Sequence, residues 1–158
     1  MKVLYAGSFD PITCGHLDLI KRCSDMFDQV VVTVFNNSAK KYMFTCEERV
    51  DYVRGAVKDL KNVTVESSDE MVAQYCRKNG IKVVIRGLRA VSDYEYELGL
   101  SSYNKFLNED LETLFMVASP EYSFISSSGV KEIARYDEKF KDLVPENVVE
   151  PLRKKLGR

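Results

Sequence analysis

Residues Gln29 to Phe35 read Gln-Val-Val-Val-Thr-Val-Phe, a run with no position reserved for solvent. A strand of this kind is buried on both faces, and such strands belong to parallel sheets covered by helices on each side. Other apolar runs recur at Lys2–Ala6, Asn62–Val65, Lys82–Ile85 and Leu111–Ala118. Helical patterns fill the intervals. His16 to Phe27 places Leu17, Ile20, Cys23 and Phe27 on one face. Three segments read as capping boxes: Thr45-Cys46-Glu47-Glu48, Ser67-Ser68-Asp69-Glu70 and Ser92-Asp93-Tyr94-Glu95. The first continues through Val50, Val53 and Val57, the second stops at Asn79-Gly80, and the third runs to about Leu107. Ser126-Ser127-Ser128-Gly129 opens a short helix to Arg135, and a last helix begins at Glu146 and ends in Arg153-Lys154-Lys155.

Alternating strands and helices imply right-handed crossovers. The expected fold is an α/β, doubly wound, five-stranded parallel sheet of Rossmann-like order 3-2-1-4-5 with C-terminal helices. The 158 residues are expected to form one domain, since no linker or repeat interrupts them. In such a sheet, ligands lie beyond the carboxyl ends of the strands where the strand order reverses, here between strands one and four.

The two most unusual loops follow those two strands. Gly7-Ser8-Phe9-Asp10-Pro11-Ile12-Thr13-Cys14-Gly15-His16 leads from strand one into a helix and carries the only histidine. Such a loop sets backbone N–H groups beside a helix N-terminus, an arrangement suited to phosphate. His16 can donate to a phosphate oxygen that gains charge, and the Ser8 hydroxyl faces the same space. After strand four comes Arg86-Gly87-Leu88-Arg89. Arg86 ends the strand, where a guanidinium is costly without an anion. Lys40 and Lys41 follow strand two, the expected neighbour of strand one. Ser126, Ser127 and Ser128 make a second helix N-terminus.

A formal charge of -1 gives no basic stripe for nucleic acid. No stretch reaches the ~20 apolar residues of a membrane span. Cys14, Cys23, Cys46 and Cys76 form no CxxC pair, which points to a reducing cytoplasmic setting rather than a zinc site. Walker, GxGxxG and GxSxG sequences are absent, so P-loop, dinucleotide and serine-hydrolase chemistry are disfavoured. The remaining pattern is cations and N–H donors around polyphosphate without a general base. It suits phosphoryl or nucleotidyl transfer to an anionic acceptor, where positioning does most of the work.

The Gly7–His16 segment resembles the signature of the nucleotidyltransferases related to class I aminoacyl-tRNA synthetases. Lys40-Lys41-Tyr42-Met43-Phe44-Thr45, Ile85 to Glu97 and Glu121 to Ser128 narrow the resemblance to bacterial phosphopantetheine adenylyltransferases, along essentially the whole chain. It implies transfer of AMP from ATP to 4'-phosphopantetheine, giving dephospho-coenzyme A and pyrophosphate. By position, it implies that His16 binds ATP and stabilises the transition state, and that Ser8 meets both substrates, with Phe9 on the ATP side. Lys40 and Arg86 would hold the acceptor phosphate, and Val72 would line its site. Gly87, Leu88, Arg89, Glu97 and the run Tyr122, Ser123, Phe124, Ile125, Ser126, Ser127, Ser128 would contact ATP. Ser8 stands where the family more often has threonine, and position 72 varies in the family. The resemblance also implies Mg²⁺ with ATP and a homohexamer, and leaves room for feedback by coenzyme A. Other readings keep the motif but change the acceptor to nicotinamide mononucleotide or glycerol phosphate, or make the chain a non-catalytic nucleotide-binding module.

Overall fold

The computed structural model describes residues 1–158. Five parallel strands, β1 (Lys2–Gly7), β2 (Gln29–Phe35), β3 (Val63–Ser68), β4 (Val83–Leu88) and β5 (Glu112–Val117), form one sheet in the order β3-β2-β1-β4-β5. The helices are α1 (Cys14–Met26), α2 (Cys46–Val57), α3 (Val72–Lys78), α4 (Val91–Leu107), α5 (Ser127–Tyr136) and α6 (Glu146–Lys155). The fold class and strand order are those read from the sequence. No helix is long and apolar enough to cross a membrane.

Alternate side chains of one strand enter opposite layers, as the two-residue strand period requires. Val3 and Tyr5 join the larger core with Ile20, Val53, Val130 and Leu152 of α1, α2, α5 and α6. Leu4 and Ala6 join a smaller core with Ala73, Tyr75 and Cys76 of α3. The layer on α4 is thin. Its one buried residue is Glu97, while Val91, Tyr96, Tyr103 and Phe106 are exposed.

Several expected boundaries shift. β3 runs on to Ser68 because Val34 and Phe35 of β2 pair with Ser67 and Ser68, which therefore cannot cap a helix. α3 starts later, at Val72. The box at Ser92 does not form: Ala90 is the N-cap of α4, and Asp93 turns back to the Arg89 backbone N–H at 2.9 Å. β4 continues to Leu88, paired with β5 through Leu88 and Val117, so Arg86 lies within a strand rather than at its end. α1 begins at Cys14, two residues before His16, and buries Leu19 where Leu17 was expected; Leu17 and Phe27 pack half-buried against the core. Short 3-10 turns at Pro120–Tyr122 and Glu138–Asp142 have no counterpart in the sequence reading.

The sheet opens at its reversal point. β1 pairs with β2 up to Gly7 and Val34, but with β4 only at Leu4–Val84 and Tyr5–Ile85. Beyond Tyr5 and Ile85 the central strands separate, and their ends make a crevice.

Candidate active site

Arg86 occupies the point where the strands part. Its Nη1 donates to the Ala6 carbonyl at 2.7 Å, an oxygen that the β1–β4 ladder leaves free. Nε and Nη2 form a fork with the Glu97 carboxylate at 2.7 and 2.6 Å. The fork matches guanidinium to carboxylate and fixes the arginine against α4. Burial alone would push the Arg86 pKa down, but the bonds and charge of Glu97 raise it, so the group stays cationic.

Two cavities meet at this pair. One, of about 290 Å³, is lined by Ser8, His16, Gly87, Arg89, Asp93, Tyr122 and Ser126, among others. The other, of about 490 Å³, is lined by Asn36, Asn37, Met71, Val72, Leu100 and Asn104, among others. Arg86 and Glu97 line both. A group held in one cavity would therefore meet a group held in the other at this pair.

His16 reaches the first cavity from the opening turn of α1. Thr13 is the N-cap, and its side-chain oxygen accepts the His16 backbone N–H at 3.3 Å. In return, the Thr13 backbone N–H donates to His16 Nδ1 at 3.0 Å. Histidine thus fills the place that Glu or Gln takes in an ordinary capping box. Because Nδ1 accepts, the proton of the neutral ring sits on Nε2, the nitrogen left free. Burial, reinforced by Arg89 and Arg86, pushes the His16 pKa down to about 4. A neutral Nε2–H donor results.

The loop before α1 is rigidly tied. Phe9 has φ +50°, in the left-handed region that bulky residues seldom adopt, and its buried ring packs edge-on against Tyr5 and His16. The buried Asp10 carboxylate accepts the backbone N–H groups of Met43 and Phe44 and pairs with Lys131 at 3.1 Å. Ser127 Oγ donates to the Pro11 carbonyl at 2.8 Å. These bonds draw β1's loop, the loop before α2 and the start of α5 into one unit.

Ser8, His16, Arg86, Gly87, Arg89, Glu97, Tyr122, Ile125, Ser126 and Ser127 line the first cavity, and Val72 lines the second beside Arg86. Gly87 leaves room for close packing, since a Cβ there would meet Leu19 Cδ1 at 2.4 Å. Arg89 is held by Asp93 through Nε at 3.1 Å and by the Ile125 carbonyl at 3.0 Å. Other expected residues stand apart. Leu88, Ser123 and Ser128 line neither cavity, the Phe9 ring is buried beneath His16, and Phe124 is 70% exposed. Lys40 is exposed on the loop after β2, its backbone N–H bonded to Asn37.

Asp93 and Arg49 were missed by the sequence reading. The Ser92 capping box hid Asp93, which instead anchors Arg89. Arg49 lies in the run Glu-Glu-Arg-Val, where an arginine reads as an exposed helix residue, yet it is wholly buried.

The cytidylyltransferase-like family profile matches residues 4–133. The chain is 48% identical over 157 residues to a phosphopantetheine adenylyltransferase of Staphylococcus carnosus (strain TM300), covering 99% of this chain and 98% of that protein. Among solved structures, the Plasmodium falciparum nicotinic acid mononucleotide adenylyltransferase complexed with NaAD superposes with a TM-score of 0.70. That match spans 97% of this chain and 94% of that one at 13% identity, a likeness of fold.

Proposed function

The chain belongs to the phosphopantetheine adenylyltransferases of the cytidylyltransferase-like family, and we propose that it transfers AMP from ATP to 4'-phosphopantetheine, giving dephospho-coenzyme A and pyrophosphate. The observation that carries this reading is the meeting of two cavities at Arg86, with the neutral His16 in one of them.

ATP occupies the cavity of His16, with its phosphates toward Ser8, Arg89 and the N-terminus of α5; Gly87, Glu97, Tyr122, Ile125, Ser126 and Ser127 complete the nucleotide contacts. Phe9 contributes through its backbone, since its ring is buried. The acceptor lies in the second cavity along Val72, its phosphate held by Arg86 and by Lys40 closing from the loop. An acceptor phosphate oxygen attacks the α-phosphorus. The new P–O bond forms as the bond to the β-phosphate oxygen breaks, and pyrophosphate leaves with the electron pair. The acceptor is already an anion, so no residue has to remove a proton. Nε2–H of His16 donates to the α-phosphate oxygen on which charge accumulates. Arg86 and Lys40 offset the repulsion between the two phosphates.

Mg²⁺ enters with ATP as part of the substrate. Three or more metal-ligating side chains cluster nowhere in the chain, and the nucleotide cavity offers only the carboxylates of Asp93 and Glu97. That donor set fits an ion carried mainly by phosphates and water, which would neutralise the leaving pyrophosphate. A homohexamer fits the uncovered apolar side chains of α4. A reducing, cytoplasmic setting fits four cysteines that are all free thiols. Coenzyme A carries both adenylyl and pantetheine parts, so feedback by it would act across the same two cavities.

A pyrophosphate-release assay offering 4'-phosphopantetheine, nicotinamide mononucleotide and glycerol phosphate tests the acceptor. Release with 4'-phosphopantetheine is expected; release only with another acceptor overturns the proposal.

A further inference from the structure

Arg49 is a guanidinium with no exposure to solvent and no charged hydrogen-bond partner. Its Nη1 donates to the Ser8 carbonyl at 2.8 Å and its Nη2 to Asn36 Oδ1 at 2.6 Å. Its Nε is buried and unpartnered, and its Cζ lies over the ring of Tyr42, 3.8 Å from the centroid. A buried cation bonded only to neutral oxygens is expensive, and a scaffold needing only packing would use an apolar side chain there.

The partners explain the placement. Ser8 lines the nucleotide cavity and Asn36 lines the acceptor cavity. Asn36 also donates to Asp69 Oδ1 at 3.0 Å and, through its backbone, to the Ser68 carbonyl at 2.9 Å. Tyr42, under the guanidinium, accepts the Asn37 backbone N–H at 2.9 Å. One side chain of α2 therefore joins the ends of β1 and β2, and Asn36 carries the link on to the end of β3. Arg86 lines both cavities, and Arg49, which lines neither, bonds one lining residue of each.

We propose that Arg49 is a positioning residue for the transfer: it fixes the Ser8 loop against the Asn36–Lys40 loop, and so sets the separation between the α-phosphate of ATP and the acceptor phosphate. The proposal rests on the two-cavity reading of adenylyl transfer. Each substrate keeps its own contacts when the bridge is weakened. What is lost is their mutual register, which appears in kcat rather than in ATP affinity.

The test compares Arg49→Lys, which keeps the charge but loses the planar fork, with Asn36→Ala and the double variant. Wild-type protein is first assayed with ATP and 4'-phosphopantetheine, nicotinamide mononucleotide or glycerol phosphate. The variants are then measured with whichever acceptor turns over, so the acceptor reading and the role of Arg49 fail separately. Arg49→Lys is expected to lower kcat ~10-fold or more while the Kd for ATP alone stays within ~2-fold. The double variant is expected to be no slower than Arg49→Lys, because both changes break one bridge. A lowered melting temperature with unchanged kcat overturns the proposal, as does a double variant whose losses multiply. If Arg49→Lys does not fold, Asn36→Ala decides: reduced kcat at unchanged ATP affinity supports the bridge, and wild-type kcat refutes it. No turnover on any acceptor overturns both readings.

Discussion

The imidazole of His16 is oriented by the residue that caps its own helix: the backbone N–H of Thr13 donates to Nδ1 at 3.0 Å while the Thr13 hydroxyl takes the His16 backbone N–H. One local motif thus starts α1, selects the tautomer and leaves Nε2–H for the substrate. Replacing His16 by Ala should leave the chain folded and ATP bound, and lower kcat at least ~10²-fold, the scale for losing one charge-stabilising donor. Steady-state kinetics beside direct ATP titration checks this. Near-normal kcat would remove His16 from the chemistry.

The low pKa of His16 has a signed consequence for stability. The unfolded chain takes up a proton near the ordinary value of 6.5, while the folded chain resists until about 4. Stability associated with the neutral ring is therefore full above pH 6.5, falls as pH drops to about 4, and levels off below. The loss should be about 2–3 kcal/mol, at about 1.4 kcal/mol per pKa unit for a ring that solvent partly reaches. Urea unfolding of wild type and His16→Gln across pH 4–7 measures it, and the variant should lack this part of the slope.

Glu97 holds Arg86 in a largely buried fork. Glu97→Ala leaves the guanidinium without its carboxylate and should cost about 3 kcal/mol, the low end for breaking a buried pair. Chemical denaturation reads that loss. Equal stability would mean that Arg86 does not depend on Glu97 for its place.

Lys40 is exposed and its side chain forms no ion pair or hydrogen bond in the fold. Lys40→Ala should therefore shift stability by no more than about 0.5 kcal/mol. Its effect should fall on the acceptor: KM for 4'-phosphopantetheine should rise more than KM for ATP. Equal rises for the two substrates would contradict the assignment.

The strand order was legible from the alternation of strands and helices, and the bounds of β2 and α6 from local signals: an unbroken β-branched run, and proline before and basic residues at the end. The Thr45 box was read correctly for the same reason, with Glu48 returning to the Thr45 backbone N–H at 2.8 Å. Ser67 carries an equally good cap pattern, but pairing with Val34 holds it in the sheet. Pairing with β5 likewise extends β4 past Ile85, where the apolar run ends, to Leu88. Tertiary pairing outweighs local preference at such ends. Ser8, His16 and Arg86, read from their loops at the sheet's reversal, line the cavity there. Arg49 and Asp93 were missed, because their partners lie on other elements or were claimed by a competing cap.

The central claim is that the adenylyl group, rather than a phosphoryl group, moves to the acceptor. The most direct measurement follows ATP labelled at either the α- or the γ-phosphorus during one turnover with 4'-phosphopantetheine. The α-label should appear in dephospho-coenzyme A and the γ-label in pyrophosphate. A γ-label found on the acceptor, or an α-label that stays in nucleotide, would contradict the account.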